Sequence, residues 1–193
     1  IKANVGKEEE VHELVDEAAR QLGGVDIFVG NAASGVLKPL SEIDAKAWEW
    51  TININARSIL FGAQAAVPYM RRRGWGRILT VTSIGSRRVF PEYGVVGVSK
   101  AAIETVTRYL AVELAPEQII CNCISPGVVV TGALDFFRAA MPRSCTRPAI
   151  RQPGASPRRK MWARSPPGST SDDAAMIVGQ TIEVDGGYSL LAS

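Results

Sequence analysis

The sequence predicts an α/β fold, a mostly parallel sheet doubly wound by crossover helices. Three observations carry this expectation. Short apolar runs of strand length stand at 25–30, 77–83, 119–125 and 181–187. The segments between the first three carry apolar side chains at helical spacing over about 15 to 25 residues. Strand and helix alternate along the chain, as they do where parallel strands are joined by helices.

The first helix is read in KEEEVHELVDEAARQLGG, where apolar residues fall at 11, 14, 15, 18, 19 and 22. Acids crowd its first turn and Gly23-Gly24 ends it, in line with macrodipole and C-cap preferences. VDIFVG (25–30) reads as a short buried strand. The loop NAASGVLKPLSEID follows, and Asp44 is the N-cap of a helix that breaks near Asn53–Asn55 and runs to Arg73. Pro68 within it implies a kink. RILTVTS (77–83) is a second buried strand. The next helix covers Tyr93 to Ala115, with apolar residues at 98, 102, 103, 106, 110 and 114. IICNCIS (119–125) and TIEVDGG (181–187) complete the strands.

A chain of 193 residues is one domain with a core of useful size. No apolar run reaches the roughly 18 to 20 residues that cross a bilayer. The chain opens on IKANVGKEEE, with neither a methionine nor a signal peptide, so an upstream piece is expected to be missing. Cys121 and Cys123 alternate on a buried strand and Cys145 stands alone, which suits a reducing cytoplasm and gives no zinc site. The single histidine, His12, is placed on the polar side of the first helix, which argues against a Ser-His-Asp hydrolase.

Charge is distributed unevenly. Residues 138–170 hold seven Arg, one Lys and no acid, a charge of +8, so the remainder carries 3 − 8 = −5. The same block has six Pro and reads as an irregular Arg/Pro-rich segment inside the domain. It has no regular aromatic interleaving, so nucleic acid is not expected as a partner, and with no apolar run long enough to cross a bilayer neither is a membrane.

Several motifs occur in a telling order: NAASG (31–35), Asn55 in TININAR, Ser83 in TVTSIGS, Tyr93 and Lys100 in YGVVGVSK, SPGVVVT (125–131), and GQTIEVDGG near the end. In this order, on these elements, they resemble the short-chain dehydrogenase/reductase family over nearly the whole chain outside 138–170. The resemblance implies a Rossmann-type sheet with a dinucleotide across the carboxyl ends of its strands. It also implies that the family's first two strands and its glycine-rich turn, TGxxxGxG, are absent here, an N-terminal truncation that should expose apolar sheet edges.

The usual arrangement in this family would put the catalytic tyrosine at position 96, which is a valine here. On a helix, residues seven apart lie within about 20° of one face and roughly 10 Å along the axis, so Tyr93 is the candidate that replaces it. The six-residue gap, with NAASGVLKP, WEWTININA, TRYLAVEL and GQTIEVDGG, looks most like enoyl-acyl-carrier-protein reductase III. That resemblance implies reduction of a trans-2-enoyl thioester by NADPH, with NADH as the alternative. Tyr93 would stabilise the enolate oxygen, and Lys100 would hold the nicotinamide ribose. Ser83 is a secondary polar contact, and Asn55 supports a helix break and a bound water or serves structure alone.

Asn4 and Val5 match the position that meets the adenine ring, and Asn31, Ala32 and Ala33 would pass under the adenosine half. Val129 and Thr131 match contacts to the carboxamide and phosphate ends, and Pro126 and Gly127 of the same motif belong to the cofactor set. Arg71, Arg72, Arg73, Arg87 and Arg88 offer a basic surface to an acidic acyl carrier protein. The expected setting is a cytoplasmic homo-oligomer, tetramer or dimer.

Two alternatives stand beside this: a ketoreductase or sugar dehydrogenase of the same family, and a catalytically inactive remnant. Family sequence stops near Phe137 and resumes near Ser171, leaving 138–170 as a compensated frameshift or a genuine insertion. On either view the acyl pocket is unassigned and little activity is expected of the chain as it stands.

Overall fold

The computed structural model describes residues 1–127 and 175–190, so the Arg/Pro-rich block 138–170, Cys145, Val129 and Thr131 lie outside the described residues. Four strands, β1 (Ile27–Gly30), β2 (Gly76–Val81), β3 (Ile119–Pro126) and β4 (Thr181–Val184), form one sheet in the order β1-β2-β3-β4. Every pairing is parallel. The carboxyl ends therefore lie along one edge, which gathers the NAASG loop, Ser83, Gly127 and Asp185.

Helix α1 spans Glu8–Leu22 and ends on Gly23, whose left-handed φ of 79° is the conformation a glycine C-cap supplies. Asp44 caps α2 (Ala45–Ile52) by accepting from the Ala47 amide at 2.8 Å. The expected break is a π-helical turn, Asn53–Arg57, which leads without interruption into α3 (Ser58–Arg73). Pro68 lies within that continuous helix. Helix α4 spans Gly94–Leu114.

The core forms where these helices meet one face of the sheet. Phe28, Ile78 and Cys121 are direct register partners, and Cys123 follows two residues on from Cys121 on the same face. Val15 of α1, Ala63, Ala66, Val67 and Met70 of α3, and Leu110, Ala111 and Leu114 of α4 pack around Ile78 and Cys121. Close approach is enforced at Gly62, where a Cβ would lie 2.3 Å from the Phe28 ring.

Three expectations need correction. The strand at 25–30 is an edge strand rather than a buried one, with Ile27 46% and Val29 52% exposed. These are the residues that point away from the packed helices. Helix α4 buries Ile103, Leu110 and Leu114 and packs Ala102 and Val106 on the core as expected, but Val98 is exposed and the buried face extends over Ser99, Lys100, Glu104 and Thr107. His12 is half-buried against Phe61, at 6.3 Å between ring centroids, and its Nε2 is covered with no hydrogen-bond partner. α1 packs on α3 closely enough to enclose a side chain that the helical wheel assigns to solvent.

Candidate functional site

The site is built on the carboxyl edge of β1 to β3 and the first two turns of α4. Leaving β2, the chain makes a short turn at Ile84–Ser86 that Ser83 caps, its Oγ accepting from the Gly85 amide at 3.1 Å. That oxygen also stands 3.2 Å from the Tyr93 hydroxyl. Tyr93 is the N-cap of α4 rather than a residue of its first turn, with φ −90° and ψ 4°. The shared-face argument from helical spacing therefore does not describe it; the turn on Ser83 and the packing of Gly85 place it. A Cβ on Gly85 would lie 2.4 Å from the Tyr93 ring, and one on Gly97 would lie 2.7 Å from the Gly85 carbonyl oxygen. Two glycines thus let the turn and the helix meet.

Val96, where the family's usual tyrosine would be, is 5% exposed. It fills the space above Gly35, where a Cβ would come within 2.3 Å of its Cγ2. Gly35 is therefore a matter of room rather than of turn conformation.

Lys100 reaches the same edge from within α4. It is 7% exposed and its Nζ donates to the Val81 carbonyl at 2.9 Å. Burial pulls its pKa down from 10.5 to about 8, opposed by the nearby Cys123 thiol. Burial likewise raises the Tyr93 phenol, and the bond to Ser83 works against that rise.

Asn55 occupies the π-turn, fully buried. Its Oδ1 accepts from the Ser34 amide and its Nδ2 donates to Ser99 Oγ, both at 2.8 Å, while Ser99 donates to the Val96 carbonyl at 2.6 Å. This chain ties the NAASG loop to α4. The widened turn is what aims Asn55 inward, and such turns recur at functional sites.

Asn31, Ala32 and Ala33 are exposed just beyond β1, and Pro126 and Gly127 close β3, where Gly127 donates to Val184. Asn4 is exposed and Val5 half-buried in the segment before α1, with the Asn4 side chain accepting from the Gly6 amide. The five arginines do not share one surface. Arg71 pairs with Glu117, Arg72 lies over Tyr69 and Arg73 pairs with Asp26, all at the amino edge of the sheet. Arg87 and Arg88 are at the site edge, bonded to Glu183 and the Ser189 carbonyl.

Sequence reasoning missed Ser99, Glu104, Gly85 and Gly97. The buried stripe of α4 steps from Leu114 through Leu110, Thr107, Ile103 and Lys100 to Val96 at three- and four-residue spacing, and extending it backward from Leu114 would have found the polar members.

The donor set fits the nicotinamide-ribose end of a dinucleotide. Lys100 makes one hydrogen bond with three donors, so two remain for ribose hydroxyls. Among the described residues no His, Cys, Asp or Glu group is arranged to hold a metal. No helix among them is long and apolar enough to cross a membrane.

Comparison with known proteins identifies the family. A family model described as Enoyl-(Acyl carrier protein) reductase matches residues 1–189. The chain is 36% identical over 197 residues to 1-cyclohexenylcarbonyl-CoA reductase of Streptomyces collinus, covering 100% of this chain and 69% of that protein. It is 34% identical over 189 residues to Dehydrogenase/reductase SDR family member 4 of Sus scrofa, covering 95% of this chain and 66% of that protein. It therefore spans about two thirds of the length of these curated relatives. The crystal structure of Enoyl-[acyl-carrier-protein] reductase (NADH) from Aquifex aeolicus superposes with a TM-score of 0.87 at 26% identity, over 100% of this chain and 76% of that one. The chain belongs to the short-chain dehydrogenase/reductase family, whose members are nicotinamide-dependent oxidoreductases.

Proposed function

We propose that the protein reduces the C2=C3 bond of an enoyl thioester carried on acyl carrier protein, with NADPH as its cofactor and NADH as the alternative. The observation that carries this reading is that Tyr93, not position 96, is the phenol at the site. Val96 is locked against Gly35 and has no proton to give, while Tyr93 meets Ser83 at 3.2 Å. The Streptomyces collinus relative adds support, because a 1-cyclohexenylcarbonyl thioester is itself conjugated to its double bond.

The chemistry the dinucleotide supplies when bound is a hydride to the β-carbon. Negative charge would then develop on the thioester oxygen, where the Tyr93 hydroxyl would stabilise it by donating, one such donor being worth about 3 to 4 kcal/mol, and a proton from solvent at the α-carbon would complete the saturated thioester. Ser83 orients that hydroxyl, and its Oγ already accepts from Gly85, so its own proton is available to Tyr93 or to substrate. Lys100 would hold the ribose with its remaining donors. Asn55 keeps the NAASG loop in register with the α4 turn below it.

A second reading, ketoreductase or dehydrogenase, is favoured by the Ser83 to Tyr93 contact, which suits a carbonyl oxygen equally well. Incubation with NADPH and either crotonyl or acetoacetyl thioester, followed by mass analysis, separates the two. A saturated acyl product supports the proposal; a hydroxyacyl product replaces it with the second reading, and no product from either supports an inactive remnant. For the carrier protein, Arg87 and Arg88 are the basic residues beside the site. The homo-oligomer expected of the intact enzyme has an available surface in exposed Val98, Tyr109 and Val112 on α4, and sedimentation of the purified chain tests it. A cytoplasmic setting accords with the free, buried Cys121 and Cys123.

A further inference from the structure

Glu104 is a carboxylate in the interior, 7% exposed, one turn beyond Lys100 on α4. Its Oε1 accepts from Thr82 Oγ1 at 3.0 Å and from Ser86 Oγ at 2.5 Å. Those two hydroxyls flank the turn that carries Ser83. Each is shared with a backbone carbonyl: Thr82 with that of Lys100 at 3.2 Å, Ser86 with that of Ser83 at 2.8 Å. One carboxylate oxygen thus clamps both ends of the turn to the helix that begins at Tyr93. The charged and titratable groups around it are Lys100 on α4 and Cys123 on β3, which feels the charge of both. A buried carboxylate is costly to keep unless it is bonded in this way.

We propose that Glu104 is a positioning residue, which sets the Ser83 hydroxyl against the Tyr93 phenol by holding Thr82 and Ser86. The proposal rests on the reading of Tyr93 as the site's donor. Glu104 touches neither substrate nor cofactor in this role. It acts as an acceptor, so the amide of glutamine, which keeps a carbonyl oxygen at the same place, preserves the clamp, and leucine abolishes it. Because Ser83 counteracts the rise of the Tyr93 phenol, losing the clamp is read directly in the ionisation of Tyr93.

The test is titration of the Tyr93 ring-carbon NMR signal in the full chain, assigned by its disappearance in Tyr93→Phe. Glu104→Leu is expected to move that titration upward by about half a pH unit or more, the scale of one lost hydrogen bond. Glu104→Gln is expected to leave it in place. Ser83→Ala is expected to reproduce the leucine shift, and the double variant to shift no further, since both act on one contact. Should Glu104→Leu fail to fold, Thr82→Val with Ser86→Ala removes the same clamp from the other side and carries the same expectation. An unchanged Tyr93 titration in folded Glu104→Leu or in the Thr82/Ser86 variant, or shifts that add in the double variant, overturns the proposal. The readout needs no cofactor or substrate, so an inactive parent chain would defeat the functional reading while leaving this result intact.

Discussion

Replacing Lys100 with methionine should remove a pH dependence of stability that the burial of its ammonium creates. The group holds a proton at 10.5 when solvated and at about 8 in the fold, because burial disfavours its charged form. Between those values the unfolded chain binds the extra proton, so stability rises with pH through this window. Below about 8 the folded protein carries the whole cost of the buried charge, roughly 3 kcal/mol. Above 10.5 that cost is gone. Going from about pH 7.5 to 9.5, the protein should gain about 2 kcal/mol from this group alone. Urea unfolding of the parent and of Lys100→Met at both pH values gives the difference, in which other titrating groups cancel. The parent should gain about 2 kcal/mol more than the variant, with equal m-values. Equal gains in both would refute a buried, proton-shedding Lys100 and return it to a solvated side chain.

The packing and backbone readings give two further expectations. Gly35→Ala drives a Cβ to 2.3 Å from Val96 Cγ2, so it should cost about 1 to 3 kcal/mol in urea unfolding, and Val96→Ala in the same chain should recover most of it. Glu92 precedes Tyr93 with φ 60° and offers its carbonyl to the Lys38 amide, so Glu92→Gly should raise stability by about 1 kcal/mol and leave that bond in place.

The fold was legible wherever local chemistry and tertiary packing agree. Acids before Val11, Gly23 after Leu22 and Asp44 before α2 mark their helix ends, because a cap is satisfied within a few residues. The break at Asn53–Asn55 was legible as to place, and only the three-dimensional chain from Ser34 through Asn55 to Ser99 reveals what it is for. The polar part of the buried face of α4 was not legible in the same way. Ser99, Lys100, Glu104 and Thr107 look solvent-facing by polarity, yet each meets a buried partner: Asn55, the Val81 carbonyl, Thr82 and Thr80. Val98, placed in the expected apolar stripe, faces outward. Functional sites are where polarity and burial part company, so a pattern that sorts residues by polarity alone misplaces them. Tyr93 and Ser83 could be named from motif order, but their contact depends on Gly85 and Gly97, whose role is to be small.

In the proposed reaction Tyr93 donates to the oxygen on which charge develops during enoyl reduction. The most direct test of that role is the rate of crotonyl-thioester reduction by NADPH in the chain and in Tyr93→Phe, with the saturated product quantified. Phenylalanine keeps the ring that packs on Gly85 and removes only the hydroxyl, so the fold should persist while the rate falls by about 10² to 10³. A Tyr93→Phe chain that forms saturated product as fast as the parent would contradict the account.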